Sequence, residues 1–314
     1  MYGYIHKHIQ KQAQKDMIIP DQKKGLAAGL FCFIFWGVAP IYFKLIDNVP
    51  SLVIIAHRII WASLFLVLFL MIREKKNFLQ ALKISPKQLA VLLVSGLLIS
   101  SNWLMFVWAV THGQILATSL GYFINPLVNI LLGVLFLHER LTKTQMIAVT
   151  IAALATLYLG IYIGQPPWIS LFLAVTFGLY GLVKKQINVR PMIGLFWETL
   201  LIMLPAIIYL LAFAPEYTSQ HSKHTLNLFL FFSGLVTVLP LIGFNYAAKR
   251  LSLTVIGFLQ YIAPTMSFLI AVLFYGEVFT LGHKVAFTGI WIALIIISGK
   301  SFRDSRKRKK ATWL

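Results

Sequence analysis

Residues 117–140, ATSLGYFINPLVNILLGVLFLHER, return at 255–278 as VIGFLQYIAPTMSFLIAVLFYGEV, in a single register of 138 residues and without a gap. Pro126 falls on Pro264 and Glu139 on Glu277. Ile124, Leu131, Val134, Leu135 and Phe136 meet identical residues at Ile262, Leu269, Val272, Leu273 and Phe274. The register extends back to Phe106 and Phe244, Ala109 and Ala247, and forward to Thr142 and Thr280. Apolar composition scatters matches, but it does not align a mid-helix proline and a terminal carboxylate together. The chain is an internal duplication, and its fold must be one that a repeated unit can build.

Each copy has the ~20 apolar residues needed to cross a hydrocarbon core of about 30 Å. Tyr122, Pro126, Asn129 and Gly133 share one helix face, and their counterparts are Gln260, Pro264, Ser267 and Ala271. Polar and small residues on one face of a span point toward protein or a cavity, away from lipid. Hydrophobic residues make up 59% of the chain and charged residues 12%, about half the charged share of a soluble domain. This is the composition of an all-α integral membrane protein. A net charge of +19 would suggest nucleic acid in a soluble chain. Here the cations lie in short loops and tails, so no nucleic-acid partner is expected. Cys32 is the single cysteine, which excludes an intrachain disulfide and a cysteine-based metal site. No cofactor is implied. Residues 1–24 are basic and lack an apolar run, so they read as a disordered or membrane-surface tail and not as a signal peptide.

Ten spans are predicted, at 25–44, 52–72, 89–110, 116–137, 146–163, 168–183, 193–213, 226–247, 254–275 and 284–299. Of the 28 Lys and Arg residues, all but Lys44, Lys223, Lys284 and the intramembrane Arg58 then fall on one side. That asymmetry places both termini in the cytoplasm. Five spans per copy is an odd number, so the second copy enters the membrane upside down. Span 1 resembles span 6 at an offset of 141, with Gly37 on Gly178 and Lys44 on Lys185. Span 2 resembles span 7 at 140, with Arg58 on Glu198. The expected domains are a basic tail (1–24), a first five-helix repeat (25–163), an inverted second repeat (164–300) and a second basic tail (301–314). Such 5+5 inverted repeats are a transporter architecture, with a midplane site opened alternately to each side.

The runs NWLMFVWAV (102–110), SLGYFINPLVNILLGVLFLHER (119–140), FWGVAPIYFKL (35–45), HRIIW (57–61) and GFLQYIAPTMSFLIAVLFYGE (257–277) resemble the RarD family of EamA-type permeases, in the drug/metabolite transporter superfamily. The resemblance covers about Lys24 to Ser301. It implies ten helices in a 5+5 inverted repeat, an inner-membrane location and transport of a small organic solute. It transfers no binding residue.

Arg58 costs about 2.5–3.5 kcal/mol to insert at mid-membrane, so its presence asks for a reason. Two roles fit: holding an anionic group of the solute, with His57 beside it, or fixing helix packing through backbone carbonyls. Glu198, its counterpart near the other face, is either a site for a coupling proton or a hydrogen-bonded clamp. Pro126 and Pro264 remove a backbone donor in mid-span and invite a helix break. Trp36, Asn102, Trp103, Tyr122, Asn125, Asn245, Gln260 and Tyr261 are the other candidate solute contacts, against a plain packing role for each. Glu139 and Glu277 sit at helix ends, where a terminal interaction competes with a role as gates. GKS at 299–301 lacks the earlier glycine of a phosphate loop, so energy must come from a gradient or from the solute. His221 and His224 have no further ligand residues near them, and no metal site is expected. The C-terminal basic run suits anionic lipid. The chain is thus expected to be a secondary transporter and no enzyme. The alternative is a membrane-embedded enzyme acting on a lipid or isoprenoid, which would need catalytic groups gathered at one interface.

Overall fold

A computed structural model describes residues 2–138, 140–217, 224–251 and 253–311. The described residues are helical apart from short turns: α1 (Tyr2–Lys44), α2 (Ser51–Glu74), the short α3 (Phe78–Ala81), α4 (Pro86–Thr111), α5 (Ile115–Leu137), α6 (Lys143–Ile163), α7 (Trp168–Gln186), α8 (Pro191–Phe213), α9 (His224–Ala248), α10 (Leu253–Leu259), α11 (Ile262–Leu269) and α12 (Leu281–Ala311). Ten spans in this set are long and apolar enough to cross a membrane, from Gln22–Lys44 to Leu281–Gly299. The integral-membrane fold expected from composition is what forms.

The ends of the helices are written locally. Ser85 caps α4 by accepting from the Gln88 amide at 3.2 Å while Gln88 Oε1 accepts from the Ser85 amide at 2.9 Å, with Pro86 at the first helical position. Thr142 and Gln145 repeat that box at the start of α6. Reciprocal capping satisfies donors that no helix can satisfy internally. α6 stops at Gly164, whose φ of +79° suits glycine.

Two expectations need correcting. Of the two readings of the N-terminal tail, disordered or on the membrane surface, the disordered one falls: α1 is helical back to Tyr2, ahead of the span that starts at Gln22. The repeated stretch is also not broken in both copies. α5 runs unbroken through Pro126. Its counterpart is interrupted at Gln260 and Tyr261, resumes as α11 and ends in a π-helical turn at Ile270–Phe274. The break sits where proline chemistry puts it. Pro264 has no N–H for the carbonyl four residues back, on Gln260, and its ring crowds that carbonyl.

The most extensive helix pairings all join one half of the chain to the other. Exchanging the halves turns the pairing of α1 with α9 into that of α7 with α4. It turns α1 with α11 into α7 with α5, and α2 with α9 into α8 with α4. The pairings of α2 with α8, α5 with α11 and α6 with α12 map onto themselves. Two equivalent glycines hold the cross-half seams. A Cβ on Gly96 of α4 would lie 2.9 Å from the Glu198 carbonyl oxygen on α8; one on Gly234 of α9 would lie 2.6 Å from Trp61 Cβ on α2. Close backbone approach through small residues is how helices associate where lipid removes the hydrophobic drive. The outward faces are apolar, with Leu135, Ile295 and Phe274 at 67%, 70% and 76% exposure.

Candidate functional site

Arg58 lies seven residues into α2 and is 6% exposed. At 1.5 Å per residue this is about 10 Å from the helix start. It does not snorkel, and it does not clamp backbone carbonyls. Its Nε donates to Thr237 Oγ1 of α9 at 2.6 Å. The guanidinium carbon lies 4.5 Å from the Trp103 ring centroid and 5.4 Å from that of Phe43. Among the described residues, Arg58 Nη1 is the buried side-chain nitrogen or oxygen left without a hydrogen-bond partner. The wall continues through Phe106, 6.1 Å from Phe43 and 6.0 Å from Tyr122. His57, its sequence neighbour, is tied to the carbonyl of Tyr217 at 3.1 Å.

Glu198 lies seven residues into α8 and is fully buried. It is not alone. Lys184 Nζ of α7 reaches Oε1 at 2.8 Å, Ser95 Oγ of α4 donates to the same oxygen at 2.6 Å, and Tyr180 donates to Oε2 at 3.3 Å. Arg58 and Glu198 therefore occupy equivalent places, each on the second span of its half and bonded to a hydroxyl on the third span of the other half.

The remaining candidates do not converge on one spot. Tyr122 joins the Arg58 wall and donates to Asn102 Oδ1 at 3.2 Å. Asn102 in turn donates to the Leu173 carbonyl at 2.9 Å and to Thr176 at 2.8 Å, and Asn125 donates to the Ala174 carbonyl at 3.2 Å. Both asparagines are satisfied stitches between α7 and the first half. Asn129, expected on a protein-facing stripe, is exposed. Trp36 packs on Phe33 and Phe244, and Asn245 bonds the Leu241 carbonyl at 2.8 Å. Tyr261 stacks on Phe123 at 6.4 Å, while Gln260 marks the helix break itself. An apolar groove of about 600 Å³ between α5, α6 and the 164–167 turn is lined by side chains such as Leu127, Val149 and Leu157, away from both charges.

Glu277 is a cap in trans. Its carboxylate accepts from the amides of Ile115 at 2.7 Å and Leu116 at 2.8 Å, at the N-terminus of α5. Burial holds its carboxyl above the usual range, against the pull of those two amides and of Lys44. Its counterpart Glu139 lies outside the described residues, as do His221 and Lys223.

Sequence reasoning missed two groups, Lys184 and Thr237, whereas Trp103, expected among the solute contacts, does stand over Arg58. The signal for one was present. At the offset of 141 that places Lys44 on Lys185, Lys184 falls on Phe43, and these two residues face the two buried charges. Ser95-Gly96 also returns as Ser233-Gly234 at the offset of 138, marking the cross-half seam.

The model of the EamA-like transporter family matches the chain twice, over residues 23–161 and 167–299. Ten apolar spans with pairings that exchange between two halves are the frame of a multi-pass membrane transporter, and the chain belongs to the EamA-like family. Within it the chain is a relative of the RarD proteins. It is 43% identical to Protein RarD of Escherichia coli (strain K12) over 290 residues, covering 92% of this chain and 98% of that one. It is 41% identical to an uncharacterized transporter of Vibrio cholerae over 93% of this chain and 97% of that one. Against the uncharacterized transporter YojE of Bacillus subtilis (strain 168), identity is also 41%, over 92% and 98%. A crystal structure of a protein 14% identical superposes with a TM-score of 0.59, covering 88% of this chain and 97% of that chain; it shares the fold. The protein is a multi-pass transporter of the bacterial inner membrane.

Proposed function

We propose that the chain is a secondary transporter that moves a small organic solute by alternating access, with both termini in the cytoplasm and the second repeat inverted relative to the first. One observation carries this reading. The helix pairings are closed under exchange of the halves, yet the halves differ in shape: α5 is continuous and its equivalent is broken into α10, α11 and a π turn. A machine of two interchangeable repeats held in different conformations has a second state in which they trade conformations, and that trade opens the site to the other side. Arg58 and Glu198 lie on the exchanging elements, one in each half. A coupling proton at Glu198 would act by releasing Lys184 from the carboxylate, loosening the seam between α7, α8 and α4. The basic tails rest on anionic lipid of the cytoplasmic leaflet.

The test is counterflow of radiolabelled solute in proteoliposomes, run with and without a pH gradient. Exchange without net flux in the absence of a gradient, accelerated by an inward proton gradient and insensitive to it in Glu198→Gln, is the expected result. Turnover of a lipid or isoprenoid substrate with no exchange would sink the reading. Orientation is tested by cysteines placed in the tails of a Cys32→Ser background. A membrane-impermeant maleimide should label them in inverted vesicles and not in intact cells.

A further inference from the structure

We propose that the transported solute is a small organic monoanion, a carboxylate on a flat apolar body, and that Arg58 binds its charge. This rests on the transporter reading and narrows it. The protein carries its own comparison. Two equivalent positions each bury a charge, and the two halves treat them differently. Glu198 has a full complement of partners: a lysine, a serine and a tyrosine. Arg58 has one hydroxyl, two aromatic faces and a nitrogen with nothing to donate to.

The decisive position is the one that faces the charge from the first span of each half. In the second half it is Lys184, the counter-charge of Glu198. In the first half it is Phe43, fully buried and 5.4 Å from the guanidinium carbon. An arginine kept only to pack helices would be expected to have its counter-charge there, because a buried charge without one is costly. Among the described residues no counter-charge meets Arg58, so we assign it to the solute. A guanidinium presents planar, forked donors that match a carboxylate. Thr237 fixes the Nε edge and leaves Nη1 for the ligand. The surroundings set the rest of the class. Trp103, Phe43, Phe106 and Tyr122 form an aromatic wall, and the Tyr42 hydroxyl is already committed to the Phe229 carbonyl. Such a wall suits an apolar body bearing one negative charge. It offers no second cation to a dianion.

The test uses the full chain in phosphatidylcholine nanodiscs, free of anionic headgroups. Thermal unfolding is followed with benzoate and phenylacetate, each against its primary amide, and with inorganic phosphate. The carboxylates should raise the wild-type midpoint by about 2 °C or more, since a ligand that binds only the folded state stabilises it. The amides and phosphate should not, and Arg58→Met should abolish the shift. Without ligand, Arg58→Met should unfold at the wild-type temperature or above, because it removes an unpartnered buried charge, while Lys184→Met unfolds lower. Four results would each overturn the proposal: no shift with either carboxylate, equal shifts with the amides or with phosphate, a shift retained in Arg58→Met, or an Arg58→Met midpoint as low as that of Lys184→Met. The last would make Arg58 a packing clamp. Nanodiscs of phosphatidylglycerol add a control: stabilisation of the wild type over Arg58→Met by the lipid alone would give the site to a headgroup. Counterflow of labelled benzoate separates the two readings. Binding without counterflow sinks the transporter and leaves the anion site; counterflow of a neutral solute unaffected by Arg58→Met does the reverse.

Discussion

At the scale of single residues, the molecule distinguishes a saturated charge from an open one. Glu198 is buried among Lys184, Ser95 and Tyr180. Removing one partner of a buried ion pair strands the other, at a cost of about 3–5 kcal/mol, whereas replacing both with apolar residues is often neutral. Lys184→Met should therefore lower unfolding stability by about that amount, and Lys184→Met/Glu198→Met should recover most of it. Equal loss in the single and double variants would show that the pair adds nothing. Glu277 poses a different test. Two α5 amides end on its carboxylate, so Glu277→Ala should cost about 0.5–2 kcal/mol in thermal unfolding, the worth of a helix cap. Its carboxyl is raised by burial, which sets the sign of the pH dependence. A carboxyl raised on folding contributes most below the ordinary carboxylate range, and that contribution is lost as pH rises through the raised value. Measured against the non-titrating Glu277→Gln, wild type should gain stability as pH falls from 7 toward 4. A constant difference would remove burial as the dominant cause.

At the scale of elements, one proline breaks its helix and its twin does not. Pro264 frees the Gln260 carbonyl and the chain turns there; Pro126 is carried within α5. In the alternating-access reading, Pro264→Ala heals the break and disfavours the conformer seen here. Pro126→Ala disfavours the exchanged conformer and favours this one. Labelling of a cysteine at position 260 in a Cys32→Ser background should therefore move in opposite directions in the two variants, relative to the parent. Movement in the same direction would end the repeat-exchange account. The glycine seams make a related prediction. Gly96→Ala and Gly234→Ala each drive a methyl into the backbone or Cβ of the facing helix. Each should cost about 1–3 kcal/mol, the usual toll of overpacking, and by symmetry the two should be similar. Thermal unfolding of both variants checks this.

At the scale of the whole molecule, the two halves have little architecture of their own. The extensive pairings run between halves, so neither repeat buries its spans without the other. Separately expressed halves should remain unassembled until combined, and co-purification of tagged halves measures this. Much of the whole was legible in the sequence. Hydropathy alone placed ten spans, because a membrane-crossing helix must satisfy its backbone internally and face lipid with apolar side chains. The repeat was legible because Pro126 and Pro264, with Glu139 and Glu277, share one register. Less could be read of the site. Arg58 and Glu198 announced themselves as charges within spans, but Lys184 looked like a loop lysine and Phe43 like any core aromatic.

The division has a physical cause. Properties set along one helix, such as length, apolar character, caps at Ser85 and Thr142 and a missing amide at Pro264, are local, and the sequence determined them by itself. Whether a charge is satisfied depends on what neighbouring helices bring to it. Only the tertiary structure decided that Glu198 meets Lys184 while Arg58 meets Phe43 and Trp103, that Asn102 and Asn125 stitch helices together, and that α5 stays whole while its twin breaks. The bonds of Asn102, Asn125 and Arg58 are made to partners on other helices, more than forty residues away in the chain.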